Sequence, residues 1–141
     1  MRTLLALVAA LACTASQPAH AAPEDEALSC VATKSYEAYQ AGWRSRDREV
    51  ITQTADALWK TGTTLLAGVE YRIVACADPG SSDVQLALYD TWGKPVVQDE
   101  QVGRDAELSI KVPTTGGYYL VARGVPAQGF QSSVAIAVLY K

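Results

Sequence analysis

Residues 83–93 read DVQLALYDTWG, and this stretch joins the two signals that decide the fold, an alternating segment and a turn. Apolar Val84, Leu86 and Leu88 alternate with residues that can face solvent, which is the side-chain period of a β-strand. The DTWG that follows is typical of a turn. Comparable strand patterns cover residues 71–77, 96–99, 106–112, 118–123 and 134–140, with turn clusters at 78–82, 114–117 and 124–129.

These strands follow one another without helix-length segments between them, so a parallel βαβ sheet is disfavoured. Residues 50–60 fit either a strand or a helix, and we favour a strand. About six or seven short strands with turns every 8–12 residues or so are typical of an antiparallel β-sandwich. The sequence therefore predicts a mainly β protein, an antiparallel β-sandwich with one N-terminal α-helix.

The helix is predicted over residues 23–43. Its proline start and the acidic residues 24–26 suit a helix N-terminus, where the helix dipole favours negative charge. Apolar residues at spacings of three and four share one face, which either packs on the domain, as we favour, or binds a ligand. The following RSRDR (44–48) is interpreted as a solvated connector, with anion binding as the alternative. The apolar face comprises Leu28, Val31, Ala32, Tyr36, Tyr39 and Trp43.

Length and composition restrict the class of protein. The chain has 141 residues, of which 49% are hydrophobic and 19% charged, and its net charge is −3. These values fit one globular domain and provide neither the basic surface that nucleic acid requires nor a polybasic membrane patch. We expect a leader (1–21), an N-terminal helix with its connector (22–48) and a β-sandwich domain (49–141).

The leader has the three parts of a secretory signal peptide. Arg2 provides a positive start, residues 4–12 form an apolar run, and the tripeptide AHA (19–21) places small residues before a cut after position 21. The run is too short to span a bilayer, which needs about 20 apolar residues. A lipoprotein signal ending at Cys13 is the weaker alternative. We therefore expect a periplasmic or secreted protein.

Cleavage would remove His20, the single histidine of the sequence, and leave two cysteines, Cys30 and Cys76. In an oxidising compartment these two permit one disulfide, which would close a loop of about 47 residues and contribute roughly 4 kcal/mol in the chain-entropy model. A reactive thiol would lack a histidine base, and two cysteines without histidine make a poor zinc site. Without histidine, Ser-His-Asp and Cys-His catalysis are excluded, so we do not expect an enzyme.

Three motifs occur in a recognisable order: LAG-x-x-YRI (66–73), DV-x-L-x-LYD-x-x-G (83–93) and TGGYYLV (115–121). Together they resemble the bacterial pre-peptidase C-terminal domain, a secreted jelly-roll-like β-sandwich related to the collagen-binding modules of clostridial collagenases. The resemblance implies an accessory role in secretion, adhesion or substrate binding, and some relatives bind calcium. The N-terminal helix and the cysteine pair depart from that module, and we expect a free-standing form of it.

Calcium is the ligand that the loop carboxylates suggest, because it takes several carboxylate and carbonyl oxygens. The alternative, which we favour, is that these aspartates cap turns. The carboxylate pairs at 99–100 and at 105 and 107 are interpreted as solvated charges rather than catalytic groups. Trp92, in a predicted turn, either contacts a sugar ring or a partner protein or folds back over the sheet edge. The calcium candidates are Asp78, Asp83, Asp90 and Asp99.

The function favoured by these features is that of a non-catalytic exported binding or accessory module that engages a protein or a polysaccharide. The alternative is a periplasmic inhibitor or immunity-type protein that blocks a toxin or a hydrolase, because a small, acidic, disulfide-linked domain suits that role. An enzyme that uses carboxylates alone is the least favoured. We expect no cofactor other than calcium, no nucleic acid partner and no membrane span.

Overall fold

The computed structural model describes residues 22–54, 57–129 and 131–141. These residues form one helix and eight strands. No helix among them is long and apolar enough to cross a membrane. The predicted signal peptide and Cys13 lie outside the described residues. The elements are α1 (Pro23–Gln40), β1 (Arg44–Thr54), β2 (Trp59–Leu65), β3 (Glu70–Ala77), β4 (Ser81–Asp90), β5 (Pro95–Gln98), β6 (Asp105–Lys111), β7 (Gly116–Pro126) and β8 (Gln131–Tyr140).

The strands form two antiparallel four-stranded sheets packed face to face, which confirms the predicted β-sandwich. The first sheet has the order β1-β8-β3-β6, and the second has the order β2-β7-β4-β5. Their inward-facing apolar residues meet between the sheets in one core. This core explains the alternating pattern of the strands, since every second side chain is removed from water. Its fully buried members include Leu65, Ile73, Val84, Leu86, Leu88, Leu108, Leu120 and Val134.

Two strand boundaries differ from the sequence prediction. The segment 44–48, predicted as a solvated connector, is the first half of β1 and pairs with β8. Its charges suit this position, because charged side chains protect an edge strand from pairing with other chains. The loop predicted over 124–129 begins later, since β7 continues to Pro126. Gly124 is therefore a strand residue, and a Cβ there would lie 2.7 Å from the Cβ of Ser132.

Helix α1 lies on the outer face of the first sheet and forms a second, smaller core with β3 and β8. The prediction that Tyr36 and Tyr39 belong to the packed face is wrong, because these side chains are 62% and 58% exposed. Val31 of the predicted face is completely buried, and the helix approaches the sheet through it and through the small residues Ala27 and Ala38. Alanines permit this close approach because the sheet below presents small residues too. The buried sheet residues under the helix are Val74, Cys76, Ala135, Ala137 and Leu139.

The predicted disulfide is confirmed. Cys30 of α1 and Cys76 of β3 are bonded with an S–S distance of 2.02 Å and a Cα–Cα distance of 6.1 Å. Cys76 is completely buried. The bond therefore fastens the helix to a central strand of the first sheet, at the position where the two elements already pack.

Candidate binding surface

The turn between β4 and β5 carries an aromatic side chain that projects into solvent. Trp92 is 90% exposed, so of the two positions considered for it the solvent-facing one is observed. The turn itself is well bonded: one Asp90 carboxylate oxygen accepts hydrogen bonds from the backbone N–H groups of Trp92 (2.9 Å) and Lys94 (2.8 Å). Gly93 adopts a φ of 80°, which favours glycine. Asp90 thus caps the turn that presents the indole.

A groove lies beside this turn, and we call it the Trp92 groove. Its volume is about 260 Å³, and its other wall is formed by residues 113–118, which comprise the loop before β7 and the first residues of that strand. Hydrogen bonds hold this wall: the Tyr118 hydroxyl donates to the carbonyl of Thr114 (2.8 Å), and the Thr115 hydroxyl accepts from the backbone N–H of Ala67 (2.8 Å). Because both walls are fixed by hydrogen bonds, the groove is already formed in the chain by itself.

Two further depressions lie next to the Trp92 groove. Thr91, Gly117 and Tyr118 line both the Trp92 groove and a neighbouring shallow depression of about 380 Å³. That depression shares Arg46 and Gly62 with a third cavity of about 440 Å³, which lies between β1 and β2. We call this third cavity the β1–β2 seam. The three depressions are therefore neighbours along one side of the second sheet.

Arg46 joins the two edge strands across one end of the seam. Its guanidinium donates to the carbonyl of Thr64 (2.7 Å) and to the hydroxyl of Thr63 (3.0 Å). It also forms an ion pair with Asp47 (3.0 Å). A register shift between Ser45 and Asp47 makes Arg46 the extra residue of a bulge, which turns its side chain out of the regular ladder. Because RSRDR was predicted as a solvated connector, this role of Arg46 was not predicted from the sequence.

The four candidate calcium ligands are spread along the chain: Asp78 precedes β4, Asp83 and Asp90 lie within β4, and Asp99 follows β5. The buried Asp78 accepts hydrogen bonds from the Ser81 hydroxyl and from the backbone N–H of Ser133. Asp90 bonds within the β4–β5 turn, as described above, and Asp83 accepts from the backbone N–H of Gly103 (2.9 Å). Each of these three therefore already accepts protein hydrogen bonds. In the part of the chain that the structure describes, no three acidic or cysteine side chains are grouped so as to hold a metal ion.

Asp99 differs from the other three aspartates in its electrostatics. Partial burial raises the pKa of its carboxyl, and the negative charges of Asp83, Asp105 and Glu100 add to that rise. The pKa of Asp105 is lowered instead, first by its hydrogen bond with Lys34, whose Nζ lies 2.8 Å away. Asp83 and Asp99 are thus near enough to repel each other. Calcium binding by them stays a prediction.

The chain matches no protein-family profile and none of the curated proteins. Among solved structures, PliG from Aeromonas hydrophila, a periplasmic inhibitor of g-type lysozyme, shares 16% identity with a TM-score of 0.51, and the match covers 72% of this chain and 90% of PliG. The pre-peptidase C-terminal domain of a Bacillus anthracis collagenase shares 12% identity with a TM-score of 0.45, and the match covers 63% of this chain and 88% of that domain. At such low identity the likeness to PliG establishes the fold alone, and the resemblance to the pre-peptidase domain stays a distant one.

Proposed function

We propose that this chain is an exported, non-catalytic binding module whose partner is a protein, with Trp92 as the main contact. The observation that carries the proposal is the 90% exposure of this indole on a turn that hydrogen bonds hold in place. The residues with the greatest effect on binding affinity are enriched in tryptophan. Since the turn is already rigid, little conformational entropy is lost when a partner covers it.

The surroundings of Trp92 fit a protein contact. Leu66 and Val96 are 50% and 37% exposed and add apolar surface at the same end of the sandwich. Thr91, Thr114 and Thr115 line the groove and offer hydroxyl groups at its rim. An apolar centre with a polar margin is the usual composition of a protein interface.

Export and the lack of catalysis are supported by independent features. The Cys30–Cys76 disulfide belongs to a type of bond that persists in oxidising compartments. The single histidine of the sequence lies in the predicted signal peptide, which removes the usual general base. Both points support a protein that binds outside the cytoplasm and leaves its partner chemically unchanged.

The proposal is tested by affinity capture from cell-envelope extract with the native chain, Trp92→Ala and Tyr36→Ala. Tyr36 is the matched control, since it is an exposed aromatic residue on α1, the helix that covers the first sheet, whereas Trp92 lies in a turn of the second sheet. We expect one protein to be recovered at 1:1 stoichiometry with the native chain and with Tyr36→Ala, and at least tenfold less of it with Trp92→Ala. Equal recovery by all three would contradict the proposal. Trp92-dependent binding to a glycan array, with no protein recovered, would make the partner a polysaccharide instead.

A second candidate function is the inhibition of a hydrolase, which the shared fold with the lysozyme inhibitor PliG favours. The test is the hydrolysis of peptidoglycan by a g-type lysozyme with an equimolar amount of the chain. A stoichiometric loss of lysozyme activity that Trp92→Ala relieves would identify the binding module as an inhibitor. An unchanged rate at tenfold molar excess would reject this enzyme as its target.

A further inference from the structure

The four edge strands of the sandwich are not equally protected. An exposed edge presents unpaired backbone groups, and proteins protect such edges with charges, proline, bulges or short strands. Strand β1 has a run of charges and a bulge, and β5 has four residues, a proline and a register shift in its pairing with β4. Strand β6 places Asp105, Glu107 and Lys111 along its exposed side. These three edges therefore carry more of these protective features than β2 does.

Strand β2 has none of these devices except one lysine. It reads WKTGTTL and pairs with β7 over seven consecutive residues without a register shift. It contains no proline, and Lys60 is its single charged residue. Threonine and tryptophan favour strand conformation. By these criteria β2 is the one edge of the described sheets that is suited to accept another strand.

The direction of the free backbone groups follows from Arg46. Its guanidinium reaches the carbonyl of Thr64, so the backbone of Thr64 faces away from β7. Because the backbone groups of successive residues in a strand face alternate sides, those of Gly62 and Lys60 face the same free edge. Arg46 occupies the Thr64 end of this edge, and the groups at Gly62 and Lys60 are left for a ligand.

The β1–β2 seam provides the space beside this edge. Its volume is about 440 Å³, and its lining includes the core residues Leu120, Ile136 and Val138. The inward side of β2 carries the half-buried Thr61 and Thr63. An added strand would therefore direct every second side chain towards an apolar floor, and the alternate side chains towards solvent.

We propose that the β2 edge binds an extended peptide segment of a partner protein as a fifth strand of the second sheet. This inference rests on the proposed function and deepens it, because it specifies how the partner is held. The segment pairs with the backbone of Lys60 and Gly62, inserts an apolar side chain into the seam and has no proline at the paired positions.

An isolated segment fits this edge better than a second copy of the chain. Strand β1 lies on the other side of the seam, and Arg46 connects it to β2. A second copy would bring its own β1 next to its own β2, so two β1 strands would compete for the space beside the paired edges. A single extended segment needs only the width of one strand, about 4.7–4.9 Å.

The experiment uses peptides selected from a displayed library of random dodecamers against the disulfide-bonded chain, then synthesised with a fluorophore and titrated by anisotropy. The decisive variant is Gly62→Pro, which removes the N–H that faces the free edge and places the proline ring there. Proline is tolerated at an edge position of this kind, so the fold is retained. The matched control is Gly62→Val, which keeps the N–H and adds its side chain in open space on the outer face.

We expect the selected peptides to alternate apolar and polar residues, to lose at least tenfold in affinity for Gly62→Pro and to bind Gly62→Val within about twofold of the native chain. Slower amide exchange at Gly62 in the complex gives a direct second readout. Should Gly62→Pro fail to fold, Lys60→Pro changes the same edge one pairing position earlier.

Three results would overturn the inference: no peptide is selected, Gly62→Pro binds as well as the native chain, or a concentration-dependent dimer forms that Gly62→Pro abolishes. The last would assign the edge to a second copy. The variant Trp92→Ala distinguishes a failure of strand addition from a failure of the proposed function. If peptides or a captured protein lose affinity for Trp92→Ala but bind Gly62→Pro as well as the native chain, the proposed binding function is retained and only strand addition is rejected.

Discussion

The outer faces of the two sheets differ in what covers them. The first sheet is covered by α1, which packs through alanines onto β3 and β8 and is bonded to the sheet through Cys30–Cys76. The outward positions of the second sheet, such as Lys60, Thr64 and Gln85, are exposed, and no described element lies over them. The difference suggests a division of roles, in which the first sheet stabilises the domain and the second sheet contacts the partner.

The largest effect is expected from removing the covalent link on the covered side. The double substitution Cys30→Ala/Cys76→Ala should reduce the free energy of unfolding by roughly 4 kcal/mol, since it releases a loop of about 47 residues in the unfolded chain. That loss is a large part of a typical stability of about 5–15 kcal/mol. The measurement is urea unfolding followed by circular dichroism, with the reduced native chain as the control.

The same variant tests the division of roles. While it remains folded, it should bind the selected peptides or the captured partner with unchanged affinity, because the disulfide is remote from the second sheet. An affinity that falls together with the stability would contradict the comparison.

Two strand glycines give a matched pair with opposite expected results. Gly124 lies between the sheets, where an added Cβ would approach Val134 Cγ2 to 2.8 Å, whereas the position of Gly62 is open. Gly124→Ala should therefore cost about 1–3 kcal/mol through overpacking. Gly62→Ala should stabilise the domain by about 0.4–1 kcal/mol, because alanine restricts the unfolded chain at a position that it can adopt. Thermal unfolding of both variants at one pH checks this, and destabilisation of both would mean that the Gly62 side is not open.

These glycines also show where the sequence is informative. The alternation in residues 83–90 and 106–112 predicted β4 and β6, because one face of each strand is buried and the pattern follows directly from that. The pattern does not distinguish a glycine that is required by a close approach from one that is not. Gly124 was assigned to a loop, and its role became evident only from the distance to Ser132 on β8.

The helix was predicted correctly as an element, and its contact face was predicted in part: Val31 and Trp43 are buried, whereas Tyr36 and Tyr39 are exposed. Hydrophobicity favoured Tyr36 and Tyr39 as core residues, whereas the buried helix residues that pack with Ala135 and Ala137 of β8 include Ala27 and Ala38. Which face of the helix packs depends on the shape of the opposing sheet surface. That shape cannot be read from the sequence of the helix. For the same reason the position of Trp92 in a turn could be predicted, but its exposure could not.

The smallest effects are expected from the charges at the loop end of the sandwich. The pKa of the Asp99 carboxyl is raised in the folded chain, so the folded chain holds this proton more tightly than the unfolded chain does. The free energy of unfolding therefore falls as the pH rises from the ordinary pKa of an aspartate to the raised one. Asp99→Asn should therefore raise Tm by a few degrees at most at pH 7, and the gain should disappear at about pH 3, where an ordinary aspartate is protonated. Asp105 has a lowered pKa, so Asp105→Asn should reduce Tm at pH 7 and converge with the native chain in acid.

Calcium titration tests whether Asp83 and Asp99 hold a calcium ion. If Asp83 and Asp99 hold the ion, millimolar calcium should raise the Tm of the native chain, and Asp99→Asn should lose that rise. Magnesium at the same concentration is the control for general screening of the charges. An equal response to both ions, or none, would leave turn capping as the role of these aspartates.

The most direct test of the central claim is amide hydrogen exchange of the native chain, free and bound to its captured partner or to a selected peptide. The account predicts that exchange slows in residues 59–65 and 91–94, while α1 and the outer surface beneath it are unchanged. Protection of α1 with no change at β2 or at the Trp92 turn would contradict it, because recognition would then belong to the covered side of the molecule.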